Sequence, residues 1–164
     1  MKQLKRWQAN LVDTTALGAV VLIRLYVGAI FLSEGVLKFL RPDAQGAGRF
    51  GEAGIPAAGF FAPLDGVFEI CCGALILVGL LVRLAAVPMV VNMLGALLIT
   101  KLPILWGDAP LFEGKSGWWD FAHESRTDLA QLCGSAFLLT VGAGTLSLDA
   151  RLTRHARLEA VTRP

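Results

Sequence analysis

The fold of this chain is decided by residues 68–94, which read FEICCGALILVGLLVRLAAVPMVVNML. This stretch holds only two charged side chains, Glu69 and Arg83, and Arg83 separates two apolar runs. A helix needs about 20 apolar residues to cross the hydrocarbon core of a bilayer. The runs, over residues 63–82 and 84–106, are long enough. With almost no loop between them, they are predicted to form a tight antiparallel hairpin of transmembrane helices.

The composition supports a membrane protein. Of 164 residues, 55% are hydrophobic and the mean hydropathy is +0.61, whereas soluble domains are about 45–50% apolar. The net charge of +2, without a basic stripe interleaved with aromatic residues, argues against nucleic acid. Cys71, Cys72 and Cys133 lie in apolar segments without zinc-type spacing, so no metal site is predicted. They are interpreted as small buried apolar residues, with a redox pair as the alternative.

Two further apolar runs cover residues 16–39 and 129–148. Alternating strand patterns are absent, and only helices or closed barrels satisfy the backbone within lipid. The chain is therefore predicted to be an all-α, polytopic membrane protein with a four-transmembrane-helix bundle. Residues 1–15 are predicted to be a cytoplasmic N-terminal segment, residues 16–149 the membrane domain, and residues 150–164 a cytoplasmic tail.

The two long connections, residues 40–62 and 102–127, lie on one side of the membrane in this arrangement. Four lysines and arginines lie on that side and eight on the other, namely Lys2, Lys5, Arg6, Arg83, Arg151, Arg154, Arg157 and Arg163. The positive-inside rule then predicts a multi-pass protein of the bacterial inner membrane, with cytoplasmic termini and two long outer loops. A cleaved signal peptide is disfavoured because Arg24 would lie in its apolar region.

Ionisable residues within these spans are the best indication of function, because each charge at mid-membrane costs about 2.5–3.5 kcal/mol. Near the outer ends of their helices lie Glu34, Lys38, Asp65, Glu69, Lys101 and Asp128. Glu34 and Lys38 have the i, i+4 spacing of a helical ion pair. Arg24 lies deeper, where it is expected either to snorkel or to reach Asn92.

A second acidic stripe precedes the fourth span. Asp120, Glu124 and Asp128 recur every four residues in the predicted loop, and His123 flanks them. Carboxylates that share a face repel one another unless cations lie opposite, and the expected cations are Lys38, Lys101 and Arg126. Two interpretations remain open: a set of ion pairs that locks the bundle, and an outward-opening polar pocket that binds a small molecule.

The same residues carry a resemblance to the DoxX family. Residues 68–94 resemble the family's second and third helices through Glu69, Gly73, Gly79, Arg83, Ala85 and Ala86. The first helix, LIRLYVGAIFLSEGVLKF, is similar through Arg24, Gly28, Phe31, Gly35 and Lys38. The segments GWWDFAHESRTDLAQL and GAGTLSLD resemble the family's His-Glu…Asp segment and its terminal signature.

This resemblance implies a functional class. DoxX members resemble a subunit of an archaeal thiosulfate:quinone oxidoreductase, and others associate with membrane redox and detoxification proteins. A quinone-binding subunit of such a system is the first hypothesis, with partner redox proteins and a homo-oligomer compatible with it. Glu69 and His123 are then the catalytic candidates, and the binding candidates are Arg24, Glu34, Lys38, Lys101, Glu124 and Asp128.

Two alternatives stand beside this hypothesis. The first is a membrane scaffold or assembly protein without enzymatic activity, in which the ion pairs only stabilise the bundle. The second is a small transporter, which is less favoured because the chain shows no inverted repeat and no broken helix. No covalently bound cofactor is implied by the sequence, and whether the protein is an enzyme is left open by it.

Overall fold

A computed structural model describes residues 18–162 of the chain and the side chains of residues 18–155. The described residues form helices and turns, without strands. The helices are α1 (Val20–Leu40), α2 (Pro42–Gln45), α3 (Ala47–Glu52), α4 (Ala58–Val78), α5 (Val82–Ala96), α6 (Gly117–Val141) and α7 (Leu148–Thr162). Helix α5 continues into a π-helical turn, Leu97–Lys101, and a 3-10 turn, Leu102–Trp106, and another 3-10 turn covers Pro110–Phe112. The all-α prediction is confirmed.

Three of these helices are long and apolar enough to cross a membrane: Val20–Leu40, Ala58–Val78 and Val82–Trp106. The predicted fourth span, residues 129–148, differs from the structure because α6 begins at Gly117 and ends at Val141. Gly142 follows with a φ of 91°, a conformation that ends the helix at low steric cost. The predicted segment of residues 1–15 lies outside the described residues, and the fourth crossing stays a prediction.

The hairpin between α4 and α5 has a different turn from the one predicted. Residues 79–81 form it, and both Gly79 (φ 76°) and Leu81 (φ 51°) are left-handed. Arg83 therefore lies in the first turn of α5 rather than in a loop. We call this end of the bundle the hairpin end, and the opposite end, where residues 41–57 and 107–116 connect the helices, the loop end.

Helices α1 and α4 pack closely because glycines face each other. A Cβ atom on Gly73 would lie 2.7 Å from the backbone nitrogen of Leu32, and one on Gly35 would lie 2.7 Å from the carbonyl oxygen of Gly66. Such distances leave no room for a side chain. Small residues at contacts of this kind let membrane helices approach each other.

Arg24 joins three segments at the hairpin end. Its guanidinium donates hydrogen bonds to the carbonyl oxygens of Ile76 (2.9 Å), Leu77 (2.7 Å), Ala143 (3.2 Å) and Leu146 (2.6 Å). The first two oxygens belong to the last turn of α4, whose carbonyls have no partner within the helix. The expectation that Arg24 reaches Asn92 is wrong, because its guanidinium binds these four carbonyl oxygens instead.

Two more charged residues cap helix ends beside Arg24. The carboxylate of Asp149 accepts the backbone N–H groups of Leu81 (2.8 Å) and Val82 (3.2 Å), at the start of α5. Arg83 donates to the carbonyl oxygens of Thr140 (3.2 Å) and Val141 (3.4 Å), at the end of α6. The hairpin end is therefore fixed by polar side chains that satisfy helix termini.

The apolar core lies between this polar layer and the middle of the bundle. Fully buried members are Val27, Ile76, Val82, Ala86, Met89 and Leu138. These residues hold α1, α4, α5 and α6 together, and a space between the helices remains beside them.

Candidate functional site

A cavity of about 1140 Å³ extends from the loop end along α5 as far as Leu84. Ligand cavities in proteins typically measure about 300–1,000 Å³ and combine apolar walls with a few polar groups. Helices α1, α4, α5 and α6 all contribute to the walls, and the polar lining includes Glu34, Lys38, Asp65, Glu69, Asn92, Lys101, Asp128 and Gln131.

Glu69 is the centre of the deepest polar cluster. Lys38 donates a hydrogen bond to Oε2 of Glu69 and also lies 3.1 Å from Oδ2 of Asp65. Asn92 donates from Nδ2 to Oε1 of Glu69 at 2.9 Å. The Glu69 side chain is 4% exposed and that of Lys38 10% exposed. Both oxygens of a buried carboxylate are thus held by donors from two other helices.

The sequence places these groups together for simple geometric reasons. Asp65 and Glu69 are four residues apart on α4 and therefore share a face. Lys38 lies in the last turn of α1, where the helix dipole favours a cation. The expected pairing of Lys38 with Glu34 on its own helix is wrong, because Lys38 turns to the two carboxylates of α4 instead.

Lys101 forms a second cluster closer to the loop end. Its Nζ lies 3.6 Å from Oδ2 of Asp128 on α6 and 4.2 Å from the centre of the Phe112 ring. The residue is 7% exposed and ends the π-helical turn after α5. Turns of this kind are rare and frequently occur at functional sites. Here the turn directs a buried cation to a carboxylate and an aromatic face.

The acidic stripe lies on α6 and not in a loop as predicted. Asp120 accepts the backbone N–H of Ser116 at 2.9 Å. Glu124 accepts a hydrogen bond from Lys115, and this bond lowers the pKa of Glu124 below its ordinary value. Lys101 holds Asp128. Each of the three acids has a different partner, and the predicted set of Lys38, Lys101 and Arg126 contributes only Lys101 to them.

The structure does not bring all predicted site residues together. Glu34 is exposed and lines the cavity. Lys101, Glu124 and Asp128 also line the cavity. His123 is exposed, and among the described residues it is not part of the cavity lining; its carbonyl oxygen accepts a hydrogen bond from Arg126. Arg24 is at the hairpin end and binds backbone carbonyls there. The structure thus separates His123 and Arg24 from Glu69.

Sequence reasoning missed two polar residues of the cavity wall. Asn92 was considered as a partner of Arg24 and instead binds Glu69. Gln131 on α6 is 2% exposed, and its Nε2 lies 3.4 Å from the carbonyl oxygen of Val27. Within the described part of the chain, its Oε1 has no hydrogen-bond partner. A usable signal existed, because Gln131 follows Asp128 by three residues and so continues the acidic stripe.

The cysteines depart partly from their prediction. Cys72 is buried and lines the cavity, whereas Cys71 and Cys133 are exposed on the surfaces of α4 and α6. All three are free thiols. Cys71 and Cys133 therefore do not pack in the protein core as predicted. Their exposed positions on apolar helices suit contact with lipid.

Apolar helices around a charged cavity define a class of helical membrane protein. The sequence pattern of the DoxX family matches residues 19–102. An uncharacterized membrane protein of Mycobacterium tuberculosis is 54% identical over 138 residues, which cover 84% of this chain and 83% of that protein. The chain therefore belongs to the DoxX family. No solved structure matches it.

Proposed function

We propose that this protein binds a lipid-soluble small molecule, a quinone, as a subunit of a membrane redox or detoxification system. The observation that carries the proposal is Glu69, a carboxylate whose side chain is 4% exposed, in the wall of a cavity of about 1140 Å³. Ionisable groups among membrane helices generally mark ligand or proton pathways. The family and the membrane character support the same class of function.

The residues of the cavity fit a quinone. Phe31, Phe61 and Phe68 supply apolar walls, and Lys38, Glu69 and Asn92 supply polar groups for the ring oxygens. A bound quinone supplies a carrier of two electrons and two protons. Glu69 would hold a proton at one carboxylate oxygen, and Lys38 would stabilise the carboxylate after the proton has left. In this arrangement Glu69 is the catalytic candidate.

The proposal includes a membrane arrangement. Helix α6 would provide the fourth crossing, and the loop end would face the outside of the bacterial inner membrane with both termini in the cytoplasm. Trp106, Trp118 and Trp119 support it, because they are 67%, 62% and 83% exposed near the loop end. Exposed tryptophans are enriched where membrane helices leave the hydrocarbon. The cavity would then open toward the outer surface.

A scaffold without enzymatic activity is the second candidate. It is favoured by the mutual pairing of the buried charges: Lys38 with Asp65 and Glu69, and Lys101 with Asp128. Under this alternative the charges stabilise the bundle and have no further role. The two candidates differ in the effect of Glu69→Gln on a folded protein. A ligand-binding protein should lose affinity for its ligand, whereas a scaffold should be unaffected.

A titration tests the proposal. Purified protein in lipid nanodiscs is titrated with a short-chain benzoquinone, and binding is followed by tryptophan fluorescence. We expect saturable binding to the wild type and a loss of at least about tenfold in affinity for Glu69→Gln, which keeps the shape but not the ionisable group. Glu52→Gln, on the exposed surface of α3, is the matched control. Unchanged affinity in a folded Glu69→Gln variant would contradict the role of Glu69.

A further inference from the structure

We infer that the cavity opens to the lipid between α4 and α5 and takes an amphiphile whose head group donates hydrogen bonds and whose apolar tail lies along α5. The inference rests on the proposed function and narrows its ligand class. For a quinone couple, it means that the reduced form, which carries hydroxyl groups, binds in preference to the oxidised form.

Residues that line the cavity and are also exposed on the helix surface locate the opening. On α4 these include Leu64 and Phe68, 40% and 45% exposed. On α5 they include Val87 and Val91, 45% and 64% exposed. The same cavity reaches the buried carboxylate of Glu69. A molecule dissolved in the hydrocarbon therefore has an apolar route to the polar cluster that avoids the charged residues of the loop end.

The wall along α5 suits an extended apolar chain. Leu84, Val87, Pro88 and Val91 line it, and Asn92 follows directly at the polar cluster. At 1.5 Å per residue, the helix rises about 12 Å between Leu84 and Asn92. This length of wall lacks charged and hydrogen-bonding side chains, so it offers an apolar tail contact but offers a polar tail nothing.

The head of the ligand meets more acceptors than donors. Lys38 is one cation between the carboxylates of Asp65 and Glu69, so these three residues carry a formal charge of −1 in the ionised state. A group that donates hydrogen bonds relieves this excess of acceptors, whereas a carbonyl oxygen does not.

The test compares three probes in nanodiscs that contain the full chain, under anaerobic conditions. The probes are a decyl-substituted benzoquinol, the corresponding benzoquinone, and hydroquinone without a tail. We expect the decyl benzoquinol to bind about tenfold more tightly than the decyl benzoquinone, and hydroquinone to bind most weakly. Asp65→Asn, which removes the second carboxylate of the cluster at similar volume, should bring the affinities of the first two probes closer together.

A bulky residue tests the opening. Val91→Trp should slow or weaken binding of the decyl benzoquinol, whereas Leu22→Trp, at a 66% exposed position of α1 outside the cavity lining, should not. Equal or tighter binding of the oxidised probe, or equal binding without a tail, would overturn the inference and leave the proposed function standing. A folded Val91→Trp variant that binds the decyl benzoquinol like the wild type would contradict the inferred opening between α4 and α5. Binding of no probe would defeat the inference together with the proposed function.

Discussion

Lys38→Met should destabilise the bundle more than any change at an exposed charge. The Lys38 and Glu69 side chains are 10% and 4% exposed, and Lys38 also lies 3.1 Å from Asp65. Removing one partner of a buried ion pair costs about 3–5 kcal/mol, because the remaining charge is left without compensation. Since Lys38→Met leaves two carboxylates, we expect a cost within that range. Lys115→Met, at a side chain 42% exposed, should cost about 1 kcal/mol or less.

A double-mutant cycle tests the coupling between Lys38 and Glu69. Thermal unfolding is measured in one detergent for Lys38→Met, Glu69→Gln and the double variant. Glu69→Gln removes one of the two carboxylates that Lys38→Met leaves unpaired, so the double variant should lose about 1–3 kcal/mol less than the sum of the single losses. A double variant that loses the full sum would refute the direct interaction and with it the account of the cluster.

Three further predictions concern other parts of the fold. Arg24→Lys should lower the melting temperature in detergent, because an ammonium group cannot reproduce the guanidinium contacts with four carbonyl oxygens. Gly73→Ala should destabilise by about 1–3 kcal/mol through overpacking against α1, whereas Gly95→Ala, with open space around its Cβ, should not destabilise in the same assay. Reporter fusions after Arg83 and at the C-terminus should report cytoplasm, and one near Gln45 the outside; a periplasmic signal at the C-terminus would contradict the proposed orientation.

The apolar runs predicted most of the helical architecture, because a span of about 20 residues is determined by composition alone. Helix ends were less accessible. The prediction places the turn at Arg83, whereas the turn begins at Gly79, a usual signal of a helix end, and continues through Leu81, whose left-handed conformation its residue type does not indicate. The helical stretch before residue 129 was read as a loop because charged residues lower its hydropathy, although their four-residue spacing already indicated a helix.

The candidate site was also predictable only in part. Residues on one helix face, such as Asp65 and Glu69, were grouped correctly because the helical period fixes them. Partners from other helices depend on how the helices rotate against each other, which a single sequence does not specify. The sequence therefore predicts that Arg24 either snorkels or reaches Asn92, whereas Arg24 binds backbone carbonyls and Asn92 binds Glu69.

Extraction of the full chain from its host membrane with native lipid retained, followed by mass spectrometry of the co-purified lipid-soluble molecules, tests the proposed binding at Glu69 most directly. Wild type, Glu69→Gln and the control Glu52→Gln are compared at equal folded amounts. We expect a quinone to co-purify with the wild type and with Glu52→Gln, predominantly in its reduced form under anaerobic extraction. We expect it to be lost from Glu69→Gln. Wild-type protein that carries no quinone, or Glu69→Gln that retains it fully, would contradict the account.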